Sequence, residues 1–162
     1  MLKKLFGNKE QSVSILAPVQ GKVLALEKVP DPVFSEKMMG EGMAVQPTDG
    51  TVVSPVEGEV VQLFPTKHAV GLKTKTGAEV LIHIGLETVS MDGEGFEAFV
   101  KQGDKVKAGD RLITFDINLV DEKAKSTVTP IIITNSDEFE VKLTDEKEAT
   151  AGETELLTVN NK

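Results

Sequence analysis

From Ile15 onward, short apolar segments alternate with turn residues along the chain. β-branched residues dominate these segments, since Val, Ile and Thr account for 42 of the 162 residues. Fourteen Gly and seven Pro interrupt them along the whole length. This pattern is typical of short strands joined by tight turns. It predicts an all-β fold, an antiparallel β-sandwich or barrel-like single domain with at most short helical turns.

Two segments give more specific predictions of secondary structure. Residues 129–134 are β-branched throughout except for Pro130, which predicts a strand buried on both faces. Residues 118–125 are the best helix candidate, with Asn118 as the N-cap, acidic residues in the first turn and lysines in the last.

A short internal repeat relates two of the predicted strands. Residues 17–26 (APVQGKVLAL) and 54–63 (SPVEGEVVQL) share Pro, Val, Gly, Val and Leu at the same offsets. The repeat predicts two similar strand–turn–strand units around one core, because a solenoid needs at least three units. In a related segment, Gly103 and Gly109 bracket another short strand.

The chain is expected to consist of a flexible tail, residues 1–14, and one domain, residues 15–162. Leu2, Leu5 and Phe6 have the spacing of one helix face beside lysines, which would suit weak membrane or partner contact through residues 1–9. A frayed terminus is the favoured alternative, because one helical turn is short. Without an apolar run of about 20 residues or a signal-peptide core, we expect a cytoplasmic protein.

The composition excludes several classes of function. The 18 basic and 26 acidic residues give a net charge of −8, which argues against nucleic-acid binding. The absence of Cys excludes disulfides, thiolate zinc sites and cysteine nucleophiles, and the absence of Trp and Tyr removes the usual stacking platforms. His68 and His83 are the only two histidines, so they are the first candidates for chemistry at neutral pH.

The segment that contains both histidines predicts a β-hairpin, because two apolar runs flank the polar residues 74–77. A turn centred between Lys75 and Thr76 pairs His68 directly with His83 across the hairpin. Their Cβ atoms would then lie about 5 Å apart on one face of the sheet. A shift of one residue in the register would instead put them on opposite faces.

Three interpretations of such a pair compete. Each ring could simply be bonded to local backbone. A zinc site on His68 and His83 would need further ligands, which without Cys or a third His would have to be carboxylates or come from a partner. Nucleophilic phosphoryl chemistry needs a neutral imidazole and a second donor beside it. Thr66 would then orient His68, and the backbone carbonyl of Gly85 would orient His83 through Nδ1–H, leaving Nε2 to attack.

Several motifs, in order over residues ~15–158, resemble the glucose-family IIA component of the bacterial phosphoenolpyruvate:sugar phosphotransferase system. They are residues 30–44 (PDPVFSEKMMGEGMA), 65–69 (PTKHA), 81–89 (LIHIGLETV), 93–96 (GEGF) and 122–127 (EKAKST). The resemblance implies a β-sandwich with the active site in a shallow depression. It implies that His83 is the phosphorylated residue, that His68 is the second active-site histidine and that Thr66 bonds His68.

The same resemblance implies a phosphotransferase component that takes phosphate from the carrier protein HPr and passes it to a cysteine of a sugar-specific IIB domain, without a cofactor. It also implies an apolar rim for docking partners and two acidic positions facing basic partner residues. The rim positions are Val33, Phe34, Met39, Phe64 and Val89, and the acidic positions are Asp31 and Glu87. Ordinary core packing is the alternative for the rim, strongest for Phe64 and weakest for Val33 and Phe34, which follow Pro32. Glu87 and Ile84 stand where many relatives carry Asp and Phe, which affects partner preference more than chemistry.

Two other classes of protein are alternatives to this interpretation. Residues 103–109 resemble a segment of biotinyl and lipoyl carrier domains. In those domains the modified lysine lies a short interval before this segment, whereas here Lys37 lies far before it and Lys123 lies after it. A regulatory binding protein, whose phosphorylation state is the signal, is compatible with the same residues.

Overall fold

The computed structural model describes residues 12–162, so the predictions for residues 1–11 lie outside the described residues. The described part contains two short α-helices, α1 (Pro32–Ser35) and α2 (Ile117–Lys123), and 3-10 turns at Leu26–Lys28, Thr88–Met91 and Ser136–Glu138. The strands are β1 (Ser12–Leu16), β2 (Gly21–Ala25), β3 (Glu41–Pro47), β4 (Thr51–Val53), β5 (Gly58–Leu63), β6 (Ala69–Lys73), β7 (Glu79–His83), β8 (Phe96–Ala98), β9 (Lys105–Val106), β10 (Arg111–Phe115), β11 (Thr129–Ile133), β12 (Phe139–Leu143), β13 (Glu148–Ala149) and β14 (Glu155–Asn161).

The strands form three antiparallel sheets. The largest has eight strands in the order β13-β2-β3-β11-β7-β6-β5-β9, and the two smaller ones have the orders β4-β10-β8 and β1-β14-β12. All three sheets contribute side chains to one large hydrophobic core. The all-β sandwich expected from the sequence is therefore confirmed.

The eight-stranded sheet is apolar on both faces at its centre. In β11, Ile131 and Ile133 face the large core, whereas Ile132 packs in a second cluster on the other face. This outer cluster contains Leu26, Val29, Phe34, Ala44, Ala69, Leu81, Leu86, Val128 and Ile132. Every residue of β11 is buried, as the β-branched run interrupted only by Pro130 predicts.

The internal repeat corresponds to β2 and β5, which begin at Gly21 and Gly58. These strands lie second from opposite ends of the eight-stranded sheet, so the two related units are placed around one core as expected. The segment between Gly103 and Gly109 contains the short edge strand β9.

Two predicted boundaries are wrong. The helix α2 is capped by Asp116, whose side chain accepts a hydrogen bond from Leu119 N at 3.1 Å, and not by Asn118, which lies inside the helix. Both residue types cap helices well, so composition alone did not distinguish them. Residues 12–14, assigned to the tail, belong to β1 and pair with β14.

The hairpin of β6 and β7 exists, but its predicted register is off by one residue. His83 pairs with Ala69, and Lys73 pairs with Glu79. The turn is one residue longer than a two-residue loop, with Gly77 in the left-handed region at φ 93° and Thr74 N bonded to Ala78 O at 3.0 Å. Three-residue loops of this kind typically use a glycine in that conformation. No helix in residues 12–162 is long and apolar enough to cross a membrane.

Candidate functional site

His83 is the last residue of β7 and lies on the outer face of the eight-stranded sheet. The alternation along β7 places Val80 and Ile82 in the large core and Leu81 in the outer cluster, so His83 shares the face of Leu81. Its cross-strand neighbour is Ala69. The small side chain of Ala69 leaves space for the half-buried imidazole ring.

His68 lies immediately before β6, where regular strand geometry ends. Lys67 has a left-handed backbone at φ 61°, an uncommon conformation for a residue with a side chain. The His68 carbonyl still accepts a hydrogen bond from Ile84 N at 2.7 Å, but its ring does not follow the alternation of the strand. The rings of His68 and His83 lie 5.0 Å apart with an interplanar angle of 81°.

The predicted meeting of the two histidines is thus confirmed, whereas the predicted reason for it is wrong. In the observed register, strict alternation would put His68 on the face opposite His83. The left-handed turn at Lys67 breaks the pleat two residues before β6 begins, and this break accompanies the return of the His68 ring to the outer face.

Each imidazole is held through Nδ1. His68 Nδ1 lies 2.5 Å from Thr66 Oγ1, and His83 Nδ1 lies 2.8 Å from the Gly85 carbonyl oxygen. A carbonyl oxygen only accepts, so neutral His83 carries its proton on Nδ1 and has a lone pair on Nε2. Thr66 and Gly85 therefore make the contacts that the sequence analysis expected of them.

The position of the Gly85 carbonyl depends on a tightly packed loop. Gly85 has φ 75°, and a Cβ atom there would lie 2.6 Å from Thr88 Cγ2 and 2.9 Å from Ser126 O. The fully buried Thr88 hydroxyl donates to Ile84 O at 2.6 Å, and Leu86 N donates to Ser126 O at 2.9 Å. Only glycine suits this backbone conformation and this close approach.

Two phenylalanines extend the imidazole pair into a row of four rings. The Phe34 ring lies 5.1 Å from that of His83, and the Phe64 ring lies 5.5 Å from that of His68. Phe34 is buried and belongs to the outer cluster, whereas Phe64 is half-buried and packs against it. Phe34, predicted as rim, is therefore a packing residue behind His83.

Helix α1 carries Phe34 to the site. Asp31 caps this helix, because its Oδ1 accepts a hydrogen bond from Val33 N at 3.0 Å. Pro32 follows at the first helical position, which suits its fixed φ. The Asp31 carboxylate also acts on His83, because its charge favours the protonated ring.

Burial keeps both rings uncharged near neutral pH. Desolvation is the largest effect on His68 and, with repulsion from His83, lowers its pKa to about 4. Desolvation also lowers the pKa of His83, although the hydrogen bond to Gly85 and the charge of Asp31 oppose it. Both rings are therefore neutral at pH 7, which a nitrogen nucleophile requires.

The predicted rim is divided between exposed and packing residues. Val33, Met39 and Val89 expose 39%, 37% and 55% of their surface, so they are available to a partner. Met38, which is not among the predicted rim residues, exposes 69%, and its position beside Met39 in the sequence is a signal for it. Glu87 is exposed and has a left-handed backbone at φ 60°, directly before the 3-10 turn that contains Val89.

The described residues, 12–162, contain no group of three or more His, Cys, Asp or Glu side chains placed to hold a metal ion. His68 and His83 offer two nitrogen donors, whereas zinc needs at least three protein ligands. A zinc ion bound here would therefore need ligands from another molecule.

The family model for the phosphoenolpyruvate-dependent sugar phosphotransferase system, EIIA 1, matches residues 13–139. The "PTS system glucose-specific EIIA component" of Bacillus cereus is 59% identical over 165 residues, with all of both chains covered. The protein of the same name from Staphylococcus epidermidis is 51% identical over 163 residues, with 98% of each chain covered.

Among solved structures, glucose permease IIA from Mycoplasma capricolum matches with a TM-score of 0.83 and 41% sequence identity. The match covers 91% of this chain and 95% of that chain. The similarity in sequence and in fold thus extends over nearly the whole chain.

We predict that Thr88→Val disturbs the ring of His83 without touching it. Valine keeps the shape of Thr88 but removes the hydrogen bond to Ile84 O, which should destabilise the fold by about 1–3 kcal/mol and loosen the Gly85 carbonyl. The 15N shifts of the His83 ring should move away from those of a pure Nδ1–H tautomer. Thr88→Ser keeps the hydroxyl and is the control. Unchanged ring shifts in Thr88→Val would show that the loop does not depend on this bond.

We also predict a loss of stability in acid that depends on His68. The unfolded chain protonates this ring near its ordinary pKa of 6.5, whereas the folded chain does so only near 4. The folded state therefore loses about 3 kcal/mol as the pH falls from about 6.5 to 4. Urea unfolding of the parent and of His68→Gln at several pH values should give a smaller decrease for the variant. Parallel curves would contradict the lowered pKa.

Proposed function

The chain belongs to the EIIA 1 family of the phosphoenolpyruvate-dependent sugar phosphotransferase system, and from this we propose that it carries the phosphoryl group on Nε2 of His83. We further propose that phospho-HPr is the donor and that a cysteine of a sugar-specific IIB domain is the acceptor. The observation that carries the proposal is the 2.8 Å contact of His83 Nδ1 with Gly85 O, beside a second imidazole ring at 5.0 Å.

The nucleophile follows from the tautomer. Because Nδ1–H is bonded to the Gly85 carbonyl, the lone pair of neutral His83 is on Nε2. The lowered pKa of His83 keeps that lone pair unprotonated at neutral pH. No proton has to be removed before attack, which explains how the site can work without a general base.

The proposed reaction consists of two phosphoryl transfers. In the first, the Nε2 lone pair of His83 forms the N–P bond while the N–P bond of the donor phosphohistidine breaks, and its electron pair returns to the donor ring. In the second, a thiolate of the acceptor forms an S–P bond while the His83 N–P bond breaks. His83 regains its lone pair, and Nδ1–H can stay on the Gly85 carbonyl throughout.

His68 is proposed to stabilise the transferring group. When the Thr66 hydroxyl donates to His68 Nδ1, the neutral ring carries its proton on Nε2 and can donate it to a phosphoryl oxygen. A preorganised donor of this kind stabilises the charge of a phosphoryl group in transfer. The burial that lowers the pKa of His68 also excludes water from this contact.

The partners are proposed to dock on the rim around the rings. The exposed apolar side chains of Val33, Met39 and Val89 would supply contact area, with Phe34 and Phe64 supporting the histidines from behind. Asp31 and Glu87 would face basic residues of either partner. The proposal includes a cytoplasmic location, no required cofactor, zinc only with partner ligands, and a regulatory role for the phosphorylation state.

We expect His83→Gln to abolish phosphorylation. The parent protein, incubated with phosphoenolpyruvate and the general phosphotransferase proteins including HPr, should gain one acid-labile phosphate, because the imidazole Nε2 is the nucleophile. Glutamine lacks this nitrogen, and the variant should show no label by intact mass. Equal labelling of parent and variant would assign the phosphate to another residue.

For His68→Gln we expect a separation of the two transfers. His83 keeps its nucleophile, so the variant should still be labelled, whereas transfer to a IIB cysteine should slow about 10²-fold or more because the imidazole donor that Thr66 holds in place is lost. Rapid-quench measurement of label loss to purified IIB domain tests this. Thr66→Val, which removes the partner of Nδ1, should slow transfer in the same direction. If the His68→Gln variant transferred the phosphoryl group as fast as the parent, His68 would have no role in the mechanism.

A further inference from the structure

A cleft of about 490 Å³ lies away from the histidines, at the turn end of the β6–β7 hairpin. We name it the lysine cleft, and its walls come from β5, from the end of β6 with the turn that follows, and from the edge strand β9. Its charged lining residues are Glu57, Glu59, Lys73, Lys75, Lys105 and Lys107.

The cleft concentrates positive charge on a protein whose net charge is −8. It contains four lysines against two glutamates. The register aligns Lys73, Glu59 and Lys105 in a row across β6, β5 and β9. Lys75 lies just after the last residues of β6, and Lys107 lies just after β9. Both therefore add positive charge beside this row.

The ammonium groups of these four lysines form no ion pair within 4.0 Å with carboxylates of residues 12–162. In residues 12–162, the ion pairs within 4.0 Å involve only the ammonium groups of Lys37 and Lys123. Glu59 lies opposite Lys73 and Lys105 in the sheet without approaching either ammonium group to that distance. An excess of uncompensated positive charge in a concave site attracts anions.

The lysine cleft is separate from the histidine pair. His68 lies just before the first residue of β6, and Lys73 is the last residue of that strand. Five strand residues at about 3.3 Å each put roughly 17 Å between the two ends. A ligand in the cleft would therefore not contact the histidine pair.

The lining defines the chemistry of that ligand. Lysine ammonium groups are strong donors to phosphate oxygens, and glutamate carboxylates accept hydrogen bonds from hydroxyl groups. A volume of about 490 Å³ suits a small molecule, not a protein segment that needs a large footprint. We propose that the lysine cleft binds a small phosphorylated polyhydroxy compound, with its phosphate on the lysines and its hydroxyl groups on Glu57 and Glu59.

Titration of the 15N-labelled protein with glucose 6-phosphate tests the proposal, with inorganic phosphate and glucose as partial probes. We expect saturable shifts in the amides of residues 57–59, 73–75 and 105–107, weaker binding of inorganic phosphate, none of glucose, and weakening by salt. Absence of saturable shifts in these segments would overturn the proposal. Equal affinity for phosphate and the sugar phosphate would overturn the role of the glutamates.

The double variant Lys75→Gln/Lys107→Gln removes two charges outside the strands, and we expect it to weaken binding about tenfold or more. Lys22→Gln/Lys142→Gln makes the same change of net charge on β2 and β12 and is the matched control, which should bind like the parent. Equal affinity of the two double variants would overturn the site.

The double variant Lys73→Gln/Lys105→Gln removes the two strand lysines of the cleft and should also weaken binding. Its thermal unfolding midpoint shows whether the variant is folded. Labelling of His83 should be unchanged in all of them, which keeps this test independent of the phosphoryl transfer.

Discussion

The hydrogen bond between His83 Nδ1 and the Gly85 carbonyl oxygen is the interaction on which the site depends. It determines that Nε2 carries the lone pair of the neutral ring. The bond exists because Gly85 turns the chain at φ 75° immediately after β7, in a space where any Cβ would meet Thr88 and Ser126. The buried hydroxyl of Thr88 donates a hydrogen bond to the carbonyl of Ile84, the residue before Gly85. A loop of tightly packed backbone thereby sets the chemistry of one nitrogen atom.

The sheet supplies the second constraint, which is the low polarity around the rings. The eight-stranded sheet needs cover on both faces, and Phe34 on α1 and the outer cluster provide it beside His83. The same packing desolvates the two imidazoles, which lowers the pKa of His68 and of His83 and keeps both neutral. Core packing and the neutral state of the rings thus have one physical cause. Of the two rings, only that of His83 is partly exposed, at the end of β7.

Charge is distributed unevenly along one hairpin. At one end of β6 and β7, two neutral rings lie beside Asp31 and the exposed apolar rim. At the other end, lysines line a concave site although the protein as a whole is acidic. The five-residue strands that separate these ends are buried on the core side, so they form a rigid spacer. The two ends of this hairpin therefore belong to surfaces of different electrostatic character, which α1, β5 and β9 help to form.

The sequence by itself determined the all-β class, the buried strand β11 and the motifs that define the family, because these depend on composition, periodicity and local spacing. It also brought His68 and His83 together, but through an incorrect register. The tertiary structure decided that register, because the turn at Gly77 contains one more residue than the symmetric hairpin assumed. It also decided that Phe34 packs against His83 and that the lysines of β6, of β9 and of the turns after them share one cleft. Such contacts depend on where strands end and on which distant segments cover them, and no local pattern in the chain encodes either.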